Sequence, residues 1–133
     1  MRKSLEARVW KRAKGLCEYC HLPQAFHRTP FQIDHVIAEQ HGGKTVAENL
    51  AVSCLRCNKR KGPNVAGVDP KSGGIVRLFH PRNDAWAEHF RWEDAVLIGR
   101  TPIGRTTIAV LGINLPSAIA VREELIAEGV FPS

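Results

Sequence analysis

Cys17-Glu18-Tyr19-Cys20 and Cys54-Leu55-Arg56-Cys57 hold all four cysteines of this 133-residue chain. What they bind decides the fold. A gap of two residues lets one tight turn aim both sulfurs of a pair at one ion. Two such pairs supply four thiolates, the donor set of a tetrahedral structural zinc. A site closed by four sulfurs has no open position for substrate, so the expected zinc holds the fold and does no chemistry. Two disulfides or a redox pair are the rival readings. Disulfides fit poorly with a cytosolic chain, and a redox C-x-x-C does not need a second copy.

Residues 21–53 lie between the pairs, more than a minimal zinc ribbon holds, so structure is inserted there. Phe31-Gln32-Ile33-Asp34-His35-Val36-Ile37 alternates apolar and polar residues. It reads as a strand with Phe31, Ile33 and either Val36 or Ile37 inward. Gly42-Gly43 marks a turn, and Asn49 to Ser53 reads as a second strand running into Cys54. Leu55 to Lys61 is helical in character and stops at Gly62-Pro63. The order is knuckle, strand, loop, strand, knuckle, helix: a ββα unit clamped at both ends by one metal.

Charge is uneven. Residues 1–62 carry 12 Lys and Arg against 5 Asp and Glu, and residues 63–133 carry 7 against 8. An anionic partner, nucleic acid first, is expected on the first half; a solvated charged face is the bland alternative. Hydrophobic residues make up 44 % of the chain, enough for a real core. No apolar run reaches the roughly 18–20 residues of a membrane span. The charged start MRKSLEARVWKRAK does not read as a secretory signal, so the expected compartment is the cytoplasm. Beyond residue 63 the chain reads as an extension packed on the core. Strands are expected at 75–79 and 95–99 and helices at 104–111 and 116–128, the second with Ile119, Leu125 and Ile126 inward. Trp86, Phe90 and Trp92 are expected to anchor a small core, and Lys71-Ser72-Gly73-Gly74 to form a flexible boundary. The fold class is α+β.

Ile33-Asp34-His35-Val36, His41-Gly42-Gly43, Asn49-Leu50 and Cys54-Leu55-Arg56-Cys57-Asn58-Lys59-Arg60-Lys61-Gly62 together resemble the HNH endonuclease family. Arg12-Ala13-Lys14-Gly15-Leu16-Cys17-Glu18-Tyr19-Cys20 fits its zinc-bearing bacterial branch. The resemblance implies a ββα-metal (His-Me finger) core at 1–63, carrying the zinc, and an extension at 64–133. It implies a metal-dependent endonuclease acting on DNA, double-stranded in expectation, and leaving 5′-phosphate and 3′-hydroxyl ends.

Hydrolysing a phosphodiester needs an activated water, charge neutralisation on phosphate and help for the leaving oxygen. His35 can take the proton from water. By resemblance Asp34, the residue before the base, binds a catalytic divalent cation, and Asn58 is its second protein ligand where many relatives have His. Asn49 is the middle family position, implied to bond backbone across the loop and hold His35 in register. A carboxylate and an amide make a hard oxygen site suited to Mg²⁺ or Mn²⁺. Lys44, Arg56, Lys59, Arg60 and Lys61 are expected on phosphates, and Arg8, Lys11, Arg12 and Lys14 extend the basic face. Bland readings stand beside these: His35 as a satisfied polar group, Asp34 as a solvent-facing carboxylate, Asn58 as a helix cap. His21, His27, His80 and His89 read as loop, surface or packing residues, and His41 as loop structure first and a DNA contact second. The alternative function is a catalytically silent zinc-containing module that binds nucleic acid. A disulfide-bonded secreted nuclease is a third reading, opposed by the paired C-x-x-C.

Overall fold

A computed structural model describes residues 1–132. Helix α1, Lys3–Ala13, turns Leu5, Val9 and Ala13 inward at four-residue spacing. It ends where Lys14 and Gly15 take left-handed backbone angles, φ 55° and 77°. The Arg12 guanidinium is spent on structure: it donates to the carbonyls of Ala47 at 3.0 Å and Leu50 at 2.7 Å. It is therefore not a free member of the expected basic face.

Strands β1, Gln32–His35, and β2, Leu50–Ser53, pair antiparallel with Gln32 opposite Ser53 and His35 opposite Leu50. All four residues of β2 are buried, as befits a strand with α1 packed against it. The first strand is shorter than its alternation predicts. Asn49 explains the stop: its Oδ1 accepts the N–H of Ile37 at 2.9 Å and its Nδ2 donates to the Ile37 carbonyl at 2.9 Å. A side chain replaces the ladder there, and Val36 is buried while Ile37 is exposed. Helix α2, Leu55–Lys61, starts directly after β2 with Cys54 at its N-cap. Asn58 is one turn inside, so it is not the cap.

The rest is three further short helices and two hairpins. Strands β3, Ala66–Val68, and β4, Ile75–Arg77, form one hairpin. Residues 71–74 are its turn and not a flexible boundary. Asp69 is the reason: it accepts Lys71 N–H and the Ser72 hydroxyl, and pairs with Arg105 at 2.8 Å. After the short helix α3, Trp86–His89, β5, Phe90–Glu93, and β6, Val96–Gly99, form the second hairpin. Helix α4, Pro102–Leu111, is capped by Thr101, whose hydroxyl accepts Gly104 N–H at 3.1 Å. Gly104 allows close approach, since a Cβ there would lie 2.1 Å from the His89 carbonyl oxygen. Helix α5, Pro116–Ala127, buries Ala118, Arg122 and Leu125. Ile119 and Ile126 are only half-buried, so a charged residue takes part of the face expected to be apolar. The architecture is a mixed α+β fold of two-stranded sheets and five helices.

One apolar cluster runs from Leu5 and Val9 through Tyr19 and Leu50 to Phe90, Leu111 and Phe131. Trp86 sits at the seam. Its indole N–H donates to the Tyr19 carbonyl at 2.9 Å, and its ring stacks on His21 at 4.0 Å. It also meets Phe90 and Trp92. Arg82 pairs with Glu18, whose other oxygen accepts Val52 N–H at 2.8 Å. Residues after 78 thus hold the first cysteine turn from outside. Truncating Trp86 removes a large aromatic body and one hydrogen bond together. Trp86→Ala is expected to lower unfolding free energy by about 3 kcal/mol or more, measured by urea denaturation of protein with equal zinc content.

Candidate metal centre and catalytic groove

The first knuckle is a tight turn: His21 N–H returns to the Cys17 carbonyl at 2.8 Å, and Cys17 N–H donates to the Leu22 carbonyl at 2.9 Å. The second knuckle is the first turn of α2. Together they bring Cys17, Cys20, Cys54 and Cys57 so close that all four sulfurs lie within 4.8 Å of one another. All four are buried and none is in a disulfide. Cys20 Sγ and Cys54 Sγ are 3.8 Å apart. Zinc–sulfur bonds of about 2.3 Å in a tetrahedron place the sulfurs about 3.8 Å apart. The donor set and its spacing therefore fit Zn²⁺.

The hairpin and α2 frame an open groove lined by Ile33, Asp34, His35, Asn58 and the turn at Ala38 to Gln40. Asp34 and His35 are neighbours on a strand, so their side chains leave in opposite directions. They share the groove because it lies around the end of β1. Asp34 is not solvent-facing; it is 8 % exposed. Its Oδ2 accepts the Tyr19 hydroxyl at 3.0 Å and lies 3.2 Å from Lys61 Nζ. Its Oδ1 has no hydrogen bond among the described residues. Burial pushes the Asp34 carboxyl above its usual range, opposed by the Lys61 ammonium and the Tyr19 hydroxyl.

Lys61 corrects an expectation. It was expected on phosphate, but it is 1 % exposed, and its ammonium also donates to the His35 carbonyl at 3.2 Å. A buried ammonium held by a carboxylate and a carbonyl is a structural cation, not a surface contact. The helix phase is the cause: Lys61 lies four residues after the inward Cys57. Lys59 and Arg60 are exposed on the face away from the groove. Arg56 donates to Ser117 Oγ at 2.8 Å. Lys44 is exposed in the loop, and its carbonyl accepts Asn49 Nδ2 at 2.9 Å. None of these four lines the groove.

His35 Nε2 lies 2.9 Å from Thr45 Oγ1. Nδ1 has no protein hydrogen bond among the described residues. Asn58 Nδ2 donates to Gln32 Oε1 at 2.5 Å, which leaves its amide oxygen without a partner among the described residues. Three residues that line the groove thus each keep one polar side-chain atom without a hydrogen-bond partner among the described residues: a carboxylate oxygen, an amide oxygen and an imidazole nitrogen. Tyr19, Thr45 and Gln32 position these groups, and the sequence reading did not single them out for that. Lys61 and Tyr19 carried a usable signal, the first in its helical spacing from Cys57 and the second as an aromatic placed between two cysteines.

Residues 17–64 match the family model for HNH endonuclease. No curated protein and no solved structure matches the chain. The matched segment spans both cysteine pairs, the hairpin and α2, which are the parts that build the candidate metal centre and the groove. HNH domains generally bind nucleic acid, so the segment points to nuclease or nucleic-acid-binding work. The cysteine cluster points to zinc.

Two outcomes follow from this geometry. A metal held by the four cysteines would bind the folded state, so its binding energy would be folding energy. Cys54→Ser is expected to lose the bound zinc and to melt well below the parent, or to be insoluble; elemental analysis and thermal denaturation check it. Lys61→Met leaves the Asp34 charge buried without its partner and is expected to cost about 3–5 kcal/mol. Adding Asp34→Asn should recover part of that loss. A urea-denaturation double-mutant cycle with no coupling between the two positions would deny that the pair is an interacting unit.

Proposed function

We propose that the protein is a metal-dependent endonuclease that hydrolyses DNA phosphodiester bonds, with His35 as general base. The carrying observation is the convergence of Asp34, His35 and Asn58 on one open groove inside an HNH-matching segment. In this reading Thr45 holds Nε2 of His35, which leaves Nδ1 to take a proton from water. Asn49 ties the loop to the end of β1 through Ile37 and Lys44, and so keeps His35 in register. Tyr19 and Lys61 hold one oxygen of Asp34 and leave the other open. The free oxygens of Asp34 and Asn58 form a hard donor pair that fits Mg²⁺ or Mn²⁺. When bound there, such an ion supplies charge neutralisation on the phosphate and help for the leaving oxygen.

Partial charge balance supports the same reading. Lys61 already offsets Asp34, so the carboxylate can stay ionised in a poorly solvated position before a cation arrives. The basic residues left on the surface, Lys44, Lys59 and Arg60, supply phosphate contacts away from the groove. Double-stranded DNA is the proposed substrate.

The assay is nicking of supercoiled plasmid with and without Mg²⁺ or Mn²⁺. Parent protein is expected to cut only with the added ion. His35→Ala and Asn58→Ala are each expected to cut at least about a hundredfold more slowly while keeping their zinc and their melting temperature. A His35→Ala protein that cuts at the parent rate would remove His35 as the base. Parent protein that binds DNA and never cuts it would favour the silent-module reading.

A further inference from the structure

Helix α2 has a second face. Against it lies a cavity of ≈ 370 Å³ between α2 and α5, separate from the groove. Its walls include the apolar Leu22, Leu55, Ile113 and Val121. Four basic side chains also line it: Arg56, Lys59, Arg60 and Arg122. No carboxylate lines it among the described residues. Cys20, Cys54 and Cys57 close its inner end. Zinc with four thiolates carries a formal charge of about −2, which the four cations exceed, so the cavity keeps an excess of positive charge.

Arg122 shows that the site is built. It is 3 % exposed, yet no carboxylate pairs with it among the described residues. Its Nε donates to the Ala95 carbonyl at 2.7 Å, and its Nη2 to the Ile113 carbonyl at 2.8 Å and to Asn114 Oδ1 at 3.2 Å. The guanidinium carbon lies 5.3 Å from the centre of the Trp92 ring. Nη1 has no hydrogen bond among the described residues. A buried guanidinium is costly unless paired. Here three neutral oxygens and an aromatic face fix its position, and one donor nitrogen is left over on a residue that lines the cavity. Arg60, an exposed residue, lies over Gly112. A Cβ on that glycine, whose φ is 61°, would lie 2.3 Å from Arg60 Nε.

We propose that this cavity binds a single nucleotide unit, its phosphate on the cations and its planar base on the apolar wall. Cations with no acid among them select an anion. The apolar wall selects one with a sizeable apolar body, which inorganic phosphate lacks. The unit can come from a free mononucleotide or from the phosphorylated end of a strand, and both present the same chemistry. The site needs neither His35 nor a catalytic cation, so it goes beyond the hydrolytic reading and does not depend on it.

The test uses full-length, zinc-loaded His35→Ala protein without added divalent ion, in calorimetric titrations. The probes are adenosine monophosphate, adenosine, inorganic phosphate, and an octathymidylate with and without a 5′-phosphate. At least one of the first and the 5′-phosphorylated strand is expected to bind about tenfold or more tighter than its counterparts lacking phosphate or base. A preference for the monophosphate assigns a free nucleotide, and a preference for the phosphorylated strand assigns a strand end. Lys59→Glu with Arg60→Glu should weaken that binding about tenfold or more. Val121→Trp, a change at a partly exposed position, should weaken it similarly by filling the apolar wall while every cation stays. Equal binding of phosphate and monophosphate, with no gain from the strand's 5′-phosphate, would overturn the proposal. So would Val121→Trp protein that binds as the parent does. Failure to cut plasmid in the other assay would leave these titrations unaffected, so the two readings fail separately.

Discussion

Convergence of four sulfurs on one point is the constraint that the rest of the structure depends on. A two-stranded hairpin is marginal in water by itself, and each sheet in this chain has only two strands. The hairpin of β1 and β2 is held because both of its ends are tied. Cys54 follows β2 directly, and Glu18, inside the first knuckle, accepts the N–H of Val52 from the strand. Metal binding by these cysteines would therefore fix the hairpin, the first turn of α2 and the turn after α1 together. The later part of the chain reaches the same place. Trp86 bonds to Tyr19, and Arg82 pairs with Glu18. A metal there is a keystone in the thermodynamic sense: it favours only the state in which all these segments have met.

Tyr19 links that keystone to the groove. It lies between the two cysteines of the first knuckle, and its hydroxyl reaches Asp34 on β1. Placing the knuckle thus places one oxygen of Asp34. Lys61 binds the same oxygen from α2, whose start is fixed by the second knuckle. Two elements tied to one metal centre therefore grip one carboxylate from two sides. The opposite oxygen stays open without any residue being assigned to keep it so. This is how a closed site with no chemistry of its own can set the geometry of an open one nearby.

Much of this was legible in the residues, and the reasons are local. The ββα order follows from alternation before His35, a short apolar run before Cys54 and Gly62-Pro63 after Lys61, all short-range signals. The cysteine cluster follows from spacing alone. What escaped was tertiary. Lys59-Arg60-Lys61 reads as one basic patch, yet a helix turns about 100° per residue, so three consecutive cations cannot share a face. Arg122 escaped because an apolar helix predicts an apolar face, and nothing local shows that a buried arginine will find three oxygens and a tryptophan. Residues 71–74 look like a flexible boundary because two glycines follow a serine. Asp69, two residues before that run, converts it to a fixed turn by pairing with Arg105, which is distant in sequence.

The division of α2 into two faces has a chemical consequence. The groove face carries Asn58 and Lys61, whose polar groups are held by Gln32 and Asp34 respectively. The other face carries Leu55, Arg56, Lys59 and Arg60. Among the described residues its cations have no carboxylate within ion-pair distance. Acidic side chains on that second face would neutralise it at little structural cost, since Lys59 and Arg60 are exposed and nothing in the core depends on their charge. Arg122 adds a further positive charge from α5, at a position where burial penalises it. A seven-residue helix therefore separates the groove, where Lys61 offsets Asp34, from a cavity lined by cations. An anionic chain drawn to the positive side would still have to pass around the helix to reach the groove. If the proposed roles hold, the first face would serve proton transfer at His35 with Lys61 as the one cation of α2 beside Asp34, while the second would add affinity from the opposite side of the helix.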